Sequence, residues 1–110
     1  AWRECGRAIH HVMHEYQAWA AESGDESGDA LATMAVPAPE EFMAGRVAEV
    51  MGRPAMIGDP EQVYQGLRAF LEVTPATHLV LMMALPGVDP ERTRDSMALF
   101  AREVMPRLKK

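Results

Sequence analysis

The 110-residue sequence holds a single cysteine, Cys5. An intrachain disulfide framework is therefore excluded, and a reducing, cytoplasmic setting is the expectation. Long hydrophobic runs are missing too: the longest, Leu79 to Pro86, has eight residues against the roughly 18–20 that a bilayer span needs. No charged segment followed by an apolar one opens the chain, so no secretory signal is read. Basic residues are in deficit, 11 against 16 acidic, giving a net charge of −5. Phosphate binding needs clustered Lys and Arg, so nucleic acid is not an expected partner. The deficit lies in residues 1–55, with 4 basic and 9 acidic side chains; residues 56–110 carry 7 of each. A phosphate-cradling glycine loop is also lacking. Gly58-Asp59-Pro60 has one glycine of a dinucleotide fingerprint, and Pro60 removes an N–H from the helix start.

What remains is an ordinary globular composition, 48% hydrophobic and 25% charged. Residues 2–21 read as an amphipathic helix, with Trp2, Cys5, Ile9, Val12, Tyr16 and Trp19 along one stripe. Residues 22–30, in which Glu/Asp-Ser-Gly-Asp occurs twice, read as an acidic loop. A helix is expected from Pro39 to Met51, closed by Gly52 and Pro54. Ala55–Gly58 reads as a short strand. Asp59-Pro60-Glu61-Gln62 then carries every element of a helix start: an N-cap, proline at the first position, and a capping-box partner. The unalternating run Leu79–Met83 reads as a strand buried on both faces, the pattern of a parallel sheet between helices. Asp89-Pro90-Glu91 opens the last helix, which Pro106 is expected to stop. Two parallel strands cannot stand alone. The chain is thus expected to be the tail of a larger α/β domain, or to borrow strands from a partner.

Candidate chemistry is sparse. His10 and His14 lie one turn apart on one helix face, but two ligands do not close a metal site and no HExxH pattern follows. Asp59 and Asp89 both precede proline at a helix start, so capping accounts for them better than acid–base work. Cys5 has no catalytic partner and sits on an apolar stripe, as a small core residue would. The nine methionines are expected mostly as core filler, with Met82 and Met83 set apart at the end of a strand.

The order of these segments resembles a known family. Met56-Ile57-Gly58-Asp59-Pro60-Glu61-Gln62-Val63, then His78-Leu79-Val80-Leu81, then Leu85-Pro86-Gly87-Val88-Asp89-Pro90-Glu91, then Ser96 to Pro106 resemble the C-terminal end of luciferase-like flavin-dependent monooxygenases. The likeness covers residues 40–110; within 1–39 only Glu15–Trp19 resembles the family's tail-side helices. It divides the chain into 1–39, a helix and acidic loop, and 40–110, the C-terminal part of a barrel domain. It implies an α/β fold in which this chain supplies the last two strand–helix units of a (β/α)8 TIM barrel. It also implies an oxidoreductase using reduced FMN (a deazaflavin being the alternative) and oxygen on an organic small-molecule substrate. The family's catalytic and flavin-binding residues lie upstream, so none is carried over, and the isolated chain is not expected to bind flavin. Active sites in barrels lie at the carboxyl ends of strands. Gly58, Met82, Met83, Leu85, Pro86 and Gly87 are accordingly the expected substrate-lining residues, and His78 falls at the wrong end. The expected partners are the rest of the barrel or a homo-oligomer partner, with no membrane. The competing reading is a non-catalytic α/β interaction module completed by a partner chain.

Overall fold

The computed structural model describes residues 1–24, 32–50 and 53–109. The first helix, α1, spans Trp2–Ser23, and Gly24 closes it in the left-handed region at φ 61°. A short helix α2, Pro39–Met43, lies against it. Next come two-residue strands β1, Glu49–Val50, and β2, Arg53–Pro54, paired antiparallel. Helices α3, Pro60–Val73, α4, Pro90–Glu103, and α5, Met105–Leu108, complete the chain.

The α/β expectation is overturned. Helix far outweighs strand, and the two strand–helix units of a barrel are not formed among the described residues. Among the described residues the only ladder is the β1–β2 hairpin. Ala55–Gly58 and Leu79–Met83 are irregular rather than parallel strands. The physical reason is that a strand depends on a neighbour for its hydrogen bonds, whereas a helix closes its own. Of the first run only the Ala55 amide finds one, the Ala48 carbonyl at 3.0 Å, and the second run finds none among the described residues.

Helix starts follow the sequence closely. Asp59 accepts from the Gln62 amide at 2.9 Å while the Gln62 side chain accepts from the Asp59 amide at 3.0 Å, a complete capping box. Asp89 accepts from the Glu91 amide at 2.9 Å. Helix ends depart from it. The second helix stops eight residues early because Gly45, at φ 70°, enters the left-handed region. The Gly45 amide then reaches the Phe42 carbonyl and the Arg46 amide the Glu41 carbonyl, both at 3.0 Å, the paired bonds of a Schellman end. Met51 and Gly52, where the stop was expected, lie outside the described residues. Pro106 does not end a helix either: α4 breaks at Val104, and Pro106 sits in the first turn of α5, where its missing N–H is harmless.

Ile9, Met13, Phe42 and Val47 form the main buried cluster, with Trp2, Cys5, Met34, Val36, Val50, Ile57 and Leu85 packed on it. The stripe on α1 is therefore rotated from the expected one. Met13 and Gly6 are buried, while Tyr16 and Trp19 stay exposed. Gly6 carries the approach of the two helices, since a Cβ there would lie 2.9 Å from the Met43 amide nitrogen and the Phe42 carbonyl carbon. In the second half only Leu67 and Val104 are buried. The radius of gyration, 15.3 Å, exceeds the roughly 13 Å of a compact domain near this length, in keeping with so thin a core.

Candidate functional site

Of the six residues expected to line a substrate, five belong to one stretch. Met82, Pro86 and Gly87 are exposed, Met83 is half-buried, and Leu85 turns back onto the main cluster. Gly87, at φ 81°, allows the turn that the Val88 amide closes on the Leu85 carbonyl at 3.2 Å. Gly58 stands at the other approach to that cluster. Its neighbour Ile57 packs there, and a Cβ on Gly58 would collide with the Gln62 side-chain oxygen, so glycine leaves room for the capping box. Ile57 and Leu85 bring both segments to the same cluster, and neither described cleft is lined by any of the six residues.

Two clefts lie elsewhere. One, of about 590 Å³, is lined by Tyr64, Arg68, Leu71, Glu72, Arg107 and Leu108. Arg107 stacks over the Tyr64 ring at 3.6 Å and donates to Glu61 at 2.8 Å. Arg68 donates to the Tyr64 hydroxyl at 3.2 Å and approaches Glu72 at 3.4 Å. The hydrogen bond from Arg107, then that from Gln65, holds the Glu61 carboxyl below its usual range. Both guanidiniums are thus already matched by carboxylates, so the cleft presents no surplus charge to an anionic ligand. The other, of about 320 Å³, is lined by Arg7, His10, Pro39, Glu40 and Met43.

His10 is placed by packing. Its ring stands edge-on to Phe42 at 5.7 Å and stacks on His14 at 6.3 Å. Among the described residues, no three His, Cys, Asp or Glu side chains gather as a metal cluster would require. Cys5 is half-buried against the main cluster, and burial raises its thiol above the ordinary value. That shift disfavours the nucleophilic thiolate. Among the described methionines Met13 is buried and Met34, Met43 and Met56 are half-buried, while Met97 and Met105 are exposed and so depart from the expected filler role.

Sequence reasoning missed the main feature of this surface. Leu79, Val80, Leu81 and Met82 are 36%, 98%, 39% and 80% exposed. Between Pro75 and Ala84 no described residue makes a backbone–backbone hydrogen bond. The signal was present, as an unalternating apolar run, but it was read as a buried strand. No described helix is long and apolar enough to cross a membrane. No family model, curated protein or solved structure matches the chain.

Proposed function

We propose that this chain is the C-terminal, non-catalytic segment of a flavin-dependent monooxygenase, an oxidoreductase that uses reduced flavin and oxygen on an organic substrate. Its contribution is to present the open run Leu79–Met83 and the adjoining turn Leu85–Gly87 to the remainder of the enzyme, where Gly58, Met82 and Met83 face the substrate. The observation that supports this reading is the open run itself, set between two aspartate-capped helices in the order of the family resemblance. Four apolar side chains exposed together mark a surface built to be covered.

The chain's own residues do not fit a flavin. In the larger cleft Arg68 and Arg107 are engaged by Glu72 and Glu61, leaving no free cation for a phosphate. The smaller cleft sets Glu40 beside Arg7, a poor host for a phosphoryl group. FMN, or a deazaflavin, is therefore assigned to polypeptide outside these residues, and the chemistry is the cofactor's.

The test is to extend the reading frame upstream of Ala1, express the continuous product, and titrate it with FMN while following oxygen uptake with reduced flavin. Flavin binding and uptake by the extended product, with neither in residues 1–110 alone, is the expected result. An initiator codon directly before Ala1, or saturable low-micromolar flavin binding by the 110 residues, would overturn the proposal. A second reading, a non-catalytic module completed by a partner chain, draws on a separate open face. Tyr16 and Trp19 lie edge to face at 5.2 Å, both exposed.

A further inference from the structure

We infer that the exposed aromatic pair Tyr16–Trp19 on α1, set between Glu15 and Glu22, docks an arginine-rich segment of a partner protein, with a guanidinium on the Trp19 ring. This rests on the second reading, a module completed by a partner chain, and names that partner's chemistry. It uses neither Leu79–Met83 nor a flavin.

Glu15, Trp19 and Glu22 stand at i, i+4 and i+7, so they share one face of α1 over about 10 Å of its axis. Tyr16 lies beside them, edge to face with Trp19 at 5.2 Å, and braces the indole while covering at most one of its sides. Both rings stay exposed. Among the described residues neither Glu15 nor Glu22 enters an ion pair, whereas Glu41, Glu61 and Glu72 hold Arg46, Arg107 and Arg68. No Lys or Arg lies between Arg7 and Arg46 in the sequence, and seven carboxylates do.

The molecule displays the same arrangement already filled. On α3, Glu61 and Tyr64 are one turn apart, and Arg107 lies 3.6 Å over the Tyr64 ring while donating to Glu61 at 2.8 Å. On α1 the ring and the carboxylates are set at helical spacing and the arginine is missing. Charge excludes the other occupants. An apolar helix or an acyl chain laid on the rings would strip water from two unpaired carboxylates. Nucleic acid and anionic headgroups are repelled, and a second α1 would bring the same carboxylates together. A basic segment meets both demands, a cation for the ring face and donors for the carboxylates. Arginine fits better than lysine, because its planar group stacks on the ring while its edge still donates.

Fluorescence anisotropy of a labelled hexa-arginine peptide, titrated with the 110-residue chain, reads the docking. Saturable binding is expected, tighter than for hexa-lysine and weakened by salt. Trp19→Ala should weaken it about fivefold with unchanged helical circular dichroism, since the ring is exposed. Glu22→Gln and Asp95→Asn change the net charge equally, but only the first, on the docking face, should weaken binding. No binding, equal weakening by those two variants, or wild-type binding by Trp19→Ala would overturn the proposal. Sedimentation separates its failure from that of the second reading. A dimer that Trp19→Ala dissolves and hexa-arginine does not would leave the face an interface, taken by a second copy, and this proposal would fall.

Discussion

Around α1 and α2, four buried side chains gather in one cluster and seven more pack on it. Around α3, α4 and α5 only Leu67 and Val104 are buried, although this half carries the best-formed helix starts of the chain. The difference separates what a segment does by itself from what it needs another segment to do. Capping is local: Asp59 and Gln62 satisfy each other across three residues wherever the chain sits. Burial is not local, and the second half lacks a face to bury against. Its contact with the first is made by Ile57, Leu85 and the Arg92–Glu4 ion pair at 3.2 Å. That pair is exposed and contributes little.

The largest expected effect lies in the first half. Phe42→Ala removes a fully buried ring and should cost about 3–5 kcal/mol, read as a lower urea midpoint. Leu67→Ala in the second half should cost about 2–5 kcal/mol. If the two halves are one cooperative unit, both variants lower the same transition. If they are separable, Leu67→Ala melts α3 and leaves the α1 signal in place.

Gly6→Ala sharpens the comparison at the α1–α2 contact. Helix propensity alone would favour alanine by roughly 0.5–1 kcal/mol. The 2.9 Å approach to backbone atoms should reverse the sign, for a net loss of about 1–3 kcal/mol by overpacking. A stabilised variant by thermal melt would show that the helices are free to part.

Capping supplies the next effect. Asp59→Ala should cost about 0.5–2 kcal/mol and fray α3. Asp89→Ala should cost less, because Asp89 accepts one amide hydrogen bond and has no reciprocal partner. Equal losses in amide exchange at the two helix starts would argue against the reciprocal bond at Asp59.

The smallest effect is electrostatic. The Glu61 carboxyl is held below its ordinary value of 4.5 by Arg107 and Gln65. A depressed carboxylate stabilises the fold above its unfolded value and loses that contribution as pH falls through the folded one. The tie between α3 and α5 should therefore weaken only below about pH 4.5 in a native titration. Arg107→Ala should reduce that acid dependence to the part Gln65 supplies, and high salt should blunt it, since both groups of the ion pair are exposed.

What the sequence makes legible follows the same division. The starts of α3 and α4 are written in residues two and three apart, and α1, α3 and α4 all begin where expected. The end of the second helix was missed because Gly45 competes with Gly52 as a stop and only the closing hydrogen bonds decide. The strand at Leu79–Met83 was misread because an apolar run states that burial is wanted, not that a neighbour exists. Met82, Met83 and Pro86 were placed by the end of a strand that does not form, and they lie instead on an irregular segment. His10 and Cys5 were legible as packing residues because their helical spacing already set them beside apolar neighbours.

The central claim is that the run Leu79–Met83 is open while the α1–α2 cluster is closed. Amide hydrogen exchange of the full 110-residue chain, at a concentration where sedimentation finds only monomer, tests it most directly. Amides of Leu79 to Met83 should exchange at nearly the rate of an unstructured peptide, while those of Ile9, Met13 and Phe42 are slowed by a common, larger factor. Protection at Leu79 to Met83 equal to that of α1 in the monomer would contradict the account.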